Sequence, residues 1–139
     1  MSWQEYVDTS LLGSGHVDKC AIYGLKDGGK WAASAGFEVG STFYEVVKVS
    51  PEELKTITNA LESNNYNKMY EDGFLVAGTR YVLIRGGDGS IIARQGRDGL
   101  VIAKTLQAIL IAHHNSEMIA GNCSTTVQGL ADYLTSNNC

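Results

Sequence analysis

FLVAGTRYVLIRGGDGSIIARQGRDGLVIAKTLQAILIA, running from Phe74 to Ala112, is the stretch that decides the fold. Within it Phe74–Ala77, Tyr81–Arg85, Ser90–Arg94, Leu100–Lys104 and Leu106–Ala112 are short runs rich in Val, Ile and Tyr, separated for the most part by glycine-bearing turns. Branched and aromatic side chains suit a pleated surface, so the stretch predicts sequential antiparallel strands. Gly86-Gly87-Asp88-Gly89 has the glycine content of a phosphate loop, but no helix follows it and no Gly-Lys-Ser/Thr closes it. Turn chemistry accounts for it.

Towards the N-terminus, Cys20–Leu25 reads as a strand that Asp27-Gly28-Gly29 turns into Trp31–Ala35, a hairpin. Ser50 then caps a helix, with Pro51 at its first position and Glu53 three residues past the cap. Leu54, Ile57 and Leu61 mark its apolar face, and it frays at Asn64-Asn65. The segment from Glu38 to Ser50 is the least regular, its Phe43, Tyr44, Val46 and Val47 allowing one more short strand. At the start of the chain Ser2 and Glu5 form a capping box, which predicts a helix from residue 3 to about 12, stopped by Gly13. Trp3 and Tyr6, one turn apart, share a face as one flat aromatic surface that covers either the core or a ligand. The chain closes with a helix from Cys123 to Ser136 whose apolar stripe is Val127, Leu130, Ala131 and Leu134. The sum is an α/β chain of α+β type: a central antiparallel sheet of about six or seven strands, helices at both termini and one in the middle.

At 139 residues the chain is long enough to bury one core, so residues 1–139 are expected to form a single domain. Cys20, Cys123 and Cys139 have no paired spacing, which argues against a disulfide framework or a zinc site and for a reducing compartment. The apolar run at Leu106–Ala112 falls well short of the roughly 20 residues of a membrane helix. A formal charge of −4 argues against general nucleic-acid binding. The charge is uneven, however: Arg80, Arg85, Arg94, Arg97 and Lys104 face only Asp88 and Asp98 between residues 80 and 104. That basic tract fits a solvated strand, an acidic protein partner or an anionic lipid headgroup.

Catalytic constellations are not visible. Cys20 lies in a strand core, His16 stands alone, and His113 and His114 point to opposite faces of a strand, where one metal cannot take both. Glu52-Glu53 and Glu71-Asp72 sit at a helix start and a turn, where the macrodipole and solubility explain them. No metal, cofactor or nucleophile–base pair is expected.

Taken in order, Ser-Trp-Gln-Glu-Tyr-Val-Asp at residues 2–8, Trp31-Ala32-Ala33-Ser34-Ala35-Gly36-Phe37, Gly73–Tyr81, Ser90-Ile91-Ile92-Ala93-Arg94, Lys104-Thr105 and Leu130-Ala131-Asp132-Tyr133-Leu134 together resemble profilin. The resemblance implies terminal helices side by side on one face of the sheet and further helical segments on the other. It implies a cytoplasmic, cytoskeleton-associated monomer, not an enzyme, that binds monomeric actin, changes its nucleotide exchange and polymerisation, and holds proline-rich segments in an aromatic groove. By the same resemblance Trp3, Tyr6, Trp31 and Tyr133 line that groove; Tyr70, Leu83, Arg85, Arg94, Lys104 and Gly121 form the actin surface; and Arg94 and Arg97 meet phosphoinositide headgroups. A polyproline II helix has no internal hydrogen bonds and little conformational entropy left to lose, so flat rings with polar tips suit it.

Three positions depart from the family pattern. Cys139 stands where many profilins have an aromatic that completes the groove, residues 118–129 carry no Lys or Arg, and the 38–50 segment is longer than in compact microbial members. A rival reading, a sensor domain holding a small ligand between sheet and helices, predicts an internal cavity with convergent polar groups. An enzyme using Cys20 or His113 is a third.

Overall fold

The structure is a computed structural model that describes residues 3–24, 30–33, 51–63, 65–76, 79–87, 89–96, 98–115 and 119–137. An N-terminal helix begins as a short α-helical turn, α1 (Trp3–Glu5), continues as a π-helical segment (Tyr6–Leu11) and ends in a 3₁₀ turn (Leu12–Ser14). It therefore outruns the expected stop at Gly13. Gly15, at φ 79°, is the residue that takes the left-handed conformation and closes the helix, its N–H donating to the Leu12 carbonyl at 3.2 Å. Ser2, the expected cap, lies outside the described residues.

Then follow β1 (Lys19–Gly24), β2 (Lys30–Ala33), α2 (Pro51–Ser63), α3 (Asn67–Asp72), β3 (Phe74–Val76), β4 (Thr79–Gly87), β5 (Ser90–Gln95), β6 (Asp98–Lys104), β7 (Ala108–His114) and α4 (Ala120–Ser136). The sheet has seven strands in the order β2-β1-β7-β6-β5-β4-β3, with every pairing antiparallel. The strands after residue 74 pair sequentially, as their turns predict. The pairing that shapes the molecule is β1 with β7, from Lys19 opposite His113 to Gly24 opposite Ala108, because it brings the two ends of the chain to neighbouring strands.

Both faces of the sheet are covered. On one, Val7 and Leu11 of the N-terminal helix and Cys123, Val127, Leu130, Ala131 and Leu134 of α4 pack against Cys20, Ile22, Val101, Ala103 and Leu110. On the other, Ile57, Ala60 and Leu61 of α2 and Met69 of α3 pack against Ala21, Tyr81, Leu83, Ile91, Ile102 and Ile111. A strand covered on both faces reads as a near-continuous apolar run, and β7 is buried from end to end, apolar from Ala108 to Ala112 and closed by the buried His113 and His114.

Some boundaries differ from expectation. β7 starts at Ala108 because Leu106 and Gln107 belong to the turn before it, where Thr105 Oγ1 accepts from the Ala108 N–H at 3.0 Å. α4 starts at Ala120, a turn earlier than Cys123, and α3 is an element that the sequence pattern did not announce. Cys20–Leu25 is observed as Lys19–Gly24, and the second hairpin strand as Lys30–Ala33; Leu25, Ser34–Ala35 and the whole of Glu38–Ser50 lie outside the described residues.

Candidate functional site

The N-terminal helix and α4 pack on the same sheet face, and Tyr6 near the start of one meets Tyr133 near the end of the other. Trp3 and Tyr6 have ring centroids 5.8 Å apart, and Tyr6 and Tyr133 6.4 Å. The rings do not form the flat surface expected from helical spacing. Their planes are inclined by 55° and 60°, so the three make an angled wall, a tilted geometry that the aromatic quadrupole favours over face-to-face stacking. Trp3 and Tyr6 are half-buried against the core, while Tyr133 is 55% exposed. Beside them a groove of about 430 Å³ opens between the helices, lined by Tyr6, Ser10, Thr126, Leu130 and Tyr133. Ser10, Thr126 and Leu130 were not singled out as site residues; the signal was their spacing, four residues past Tyr6 and seven and three before Tyr133. Trp31 belongs to β2, the strand that α1 packs on, but its side chain and Cys139 lie outside the described residues.

A second surface lies on the other flank of α4. Arg85, Gly86, Gly87, Ser90 and Ile92 of the β4–β5 hairpin and Ser124 and Gln128 of α4 enclose a polar hollow of about 380 Å³. Arg94 and Gly121 are exposed near it, and Lys104 is half-buried with its backbone N–H donating to the Gly89 carbonyl at 2.8 Å. Tyr70 is exposed on α3, which packs on β4 from the opposite face. Leu83 is a correction: it is 4% exposed and faces the α2–α3 layer, so its side chain cannot meet a partner. Its neighbours Val82 and Ile84 are the exposed apolar groups of β4, with a break in register between Leu83 and Arg85 that leaves Ile84 without a cross-strand partner. Arg97 lies outside the described residues.

His113 and His114 are interior. His113 Nδ1 lies 2.6 Å from Asp18 Oδ1, its Nε2 lies 3.7 Å from Asp98 Oδ2, and the Tyr81 ring meets it edge-on. His114 packs over Gly99. Burial, and then the charges of Asp98 and Asp18, push the Tyr81 hydroxyl up to about 12. Cys123 is buried in the core under α4, and burial, with Asp18 adding to it, pushes its thiol up to about 12, the opposite of an activated nucleophile. Cys20 is equally buried, its Sγ 3.9 Å from the Val7 carbonyl oxygen. Among the described residues no group of three His, Cys, Asp or Glu could hold a metal ion, and no helix is long and apolar enough to cross a membrane.

A family model, profilin, matches residues 1–139. Profilin-2 of Acanthamoeba castellanii is 42% identical over 134 residues, covering 96% of each chain. The crystal structure of profilin II from that organism superposes with a TM-score of 0.85 at 40% identity, covering 99% of this chain and 100% of that one. Mouse profilin IIa, solved in complex with a double repeat from the FH1 domain of mDia1, shares the fold at 21% identity, with a TM-score of 0.78 and full coverage of both chains.

Proposed function

The chain belongs to the profilin family, and from that membership we propose how its two surfaces are used. It is an actin-monomer-binding protein that regulates polymerisation and nucleotide exchange, and it also binds proline-rich segments. We assign the proline-rich ligand to Trp3, Tyr6, Trp31 and Tyr133. The observation that carries this assignment is the junction of Tyr6 and Tyr133, contributed by opposite ends of the chain and bordering an open groove. The rings give a proline segment apolar planes, and their polar tips can donate to carbonyls that a polyproline II helix leaves without internal partners. The similarity of fold to a profilin solved with an FH1 repeat supports the same choice.

Actin is assigned to the other flank of α4: Arg85, Arg94, Lys104 and Gly121, with Val82 and Ile84 taking the apolar part first given to Leu83, and Tyr70 reaching the surface around the β4 edge. Arg94 is also the cation assigned to phosphoinositide headgroups, with Arg97. We treat residues 1–139 as one functional unit, place it in the cytoplasm as a monomer and assign it no catalytic activity of its own.

Titration with a proline decamer, followed by tryptophan fluorescence, tests the groove. The parent responds, and Trp3→Ala and Tyr133→Ala respond more weakly; a silent parent removes the assignment. Arg85→Glu loses actin-monomer binding while keeping the decamer. Loss of both activities in a protein that is still folded would place them on one surface.

A further inference from the structure

Tyr66 packs on the face of the sheet opposite the hollow that holds Arg85, and we infer that it is a positioning residue for that arginine. Its ring occupies the space over Gly86 and so holds β4 in the one register that aims the guanidinium at the flank of α4. The inference rests on the actin reading of that flank.

Two pairings of β4 with β5 are open to this sequence. From Leu83 opposite Ala93, strict alternation would set Ile84 against Ile92, Arg85 against Ile91 and Gly86 against Ser90. Arg85 would then turn with Ile91 into the layer beneath α2 and α3. The observed pairing skips Ile84 instead: Arg85 stands opposite Ile92, Gly86 opposite Ile91 and Gly87 opposite Ser90. A bulge of this kind re-aims the residues after it, because a shift of one position exchanges the faces of every later side chain. Arg85 thus shares the hollow beside α4 with Ile92, Ser124 and Gln128. The turn does not choose between the pairings by itself, since glycines at 86, 87 and 89 suit hairpins with either two or three residues between the paired ends.

The Tyr66 ring makes the choice. A Cβ on Gly86 would stand 2.8 Å from Cγ and 2.9 Å from Cδ1 of that ring, so the inward place opposite Ile91 accepts a residue without a side chain. In the alternating pairing Arg85 would take that place. Its Cβ would meet the ring, and its guanidinium would enter a layer built of Ile57, Met69 and Phe74. The ring is also held where it is. Tyr66 is 6% exposed, the Tyr70 N–H donates to its carbonyl at 3.1 Å, and the Asn67 N–H donates to Asn65 Oδ1 at 3.2 Å.

NMR contacts between β4 and β5, read beside actin-monomer and decaproline titrations, test the inference. The parent shows Arg85 opposite Ile92 alone. Tyr66→Ala opens the inward place and adds a second set of contacts that pairs Ile84 with Ile92 and Arg85 with Ile91. Actin binding weakens roughly three- to tenfold, because apparent affinity falls with the fraction of chains in the competent register, while decaproline affinity stays within about twofold of the parent. Tyr66→Phe keeps the ring and, with it, the parent's pairing and actin affinity. Gly86→Ala drives a methyl into the ring from the other side and lowers the Arg85–Ile92 contacts and actin affinity together, so the test does not depend on Tyr66→Ala folding. Parent pairing in both Tyr66→Ala and Gly86→Ala, or a Tyr66→Phe variant as weak for actin as Tyr66→Ala, overturns the inference. A parent that binds no actin overturns the reading of the flank instead, and the contacts between β4 and β5 still decide whether Tyr66 sets the register.

Discussion

Gly99 and His114 are cross-strand partners on β6 and β7, and the imidazole fills the space that a side chain at 99 would need. The ring is 5% exposed and cannot swing out to water. Gly99→Ala is expected to destabilise by about 1–3 kcal/mol in urea unfolding through overpacking. Combining it with His114→Ala should recover much of that loss, a coupling that the double-mutant cycle measures directly; strict additivity would show that the glycine is not kept by the histidine. Tyr81 and Cys123 make a prediction about alkaline pH. Both groups are held above their ordinary values of 10.0 and 9.0, at about 12. The folded protein then keeps protons that the unfolded chain has released, so stability is level below about pH 9 and falls as pH rises towards 12. Cys123 begins the decline and Tyr81 adds to it from about 10. Tyr81→Phe flattens the later part of the stability–pH curve and Cys123→Ala the earlier part; a parent curve level to pH 11 would contradict both assignments.

Adjacent residues on α4 have opposite duties, and this can be measured. Leu134 is buried in the core shared with the N-terminal helix, while Tyr133 points to solvent beside the groove. Leu134→Ala is expected to cost about 2–5 kcal/mol of stability. Tyr133→Ala should stay within about 0.5 kcal/mol of the parent and weaken decaproline binding instead. The apolar stripe of α4 was legible because helical period alone separates 127, 130, 131 and 134 from their neighbours. The strands after residue 74 were legible because glycine turns isolate short branched runs. Elements failed where local chemistry overrode the pattern: Thr105 takes Leu106 and Gln107 into its turn, the 3₁₀ turn Leu12–Ser14 carries the first helix past Gly13, and α3 is too short to show a period. Leu83 was assigned to the actin surface by resemblance alone, and because Tyr81-Val82-Leu83-Ile84 is apolar throughout, only the structure shows that its side chain turns inward. The spacing of Ser10 from Tyr6 and of Thr126 from Tyr133 becomes a signal only once the two helices are known to lie together.

At the scale of the whole molecule, α4 is a partition. At about 100° per residue, Ser124 and Gln128 lie on one side of the helix and Thr126, Leu130 and Tyr133 on the other, about 180° away, with the core-facing residues between them. The helix is pinned to the sheet by Cys123, Val127, Ala131 and Leu134, all buried. A ligand on one flank therefore meets a helix packed on the core, and coupling between flanks would require a second arrangement of that packed face. Actin and a proline-rich segment should thus be held at the same time with independent affinities. Calorimetric titration of decaproline into the free protein and into its actin complex should give dissociation constants equal within about twofold, since well-separated perturbations add to within about 0.5 kcal/mol. The salt response should also divide. The hollow on the actin flank contains Arg85, with Arg94 exposed near it, so actin affinity falls as ionic strength rises, while the groove, lined by no charged side chain among the described residues, keeps its ligand. A tenfold change in decaproline affinity on adding actin, or parallel salt dependence of the two ligands, would mean that α4 does not insulate its flanks.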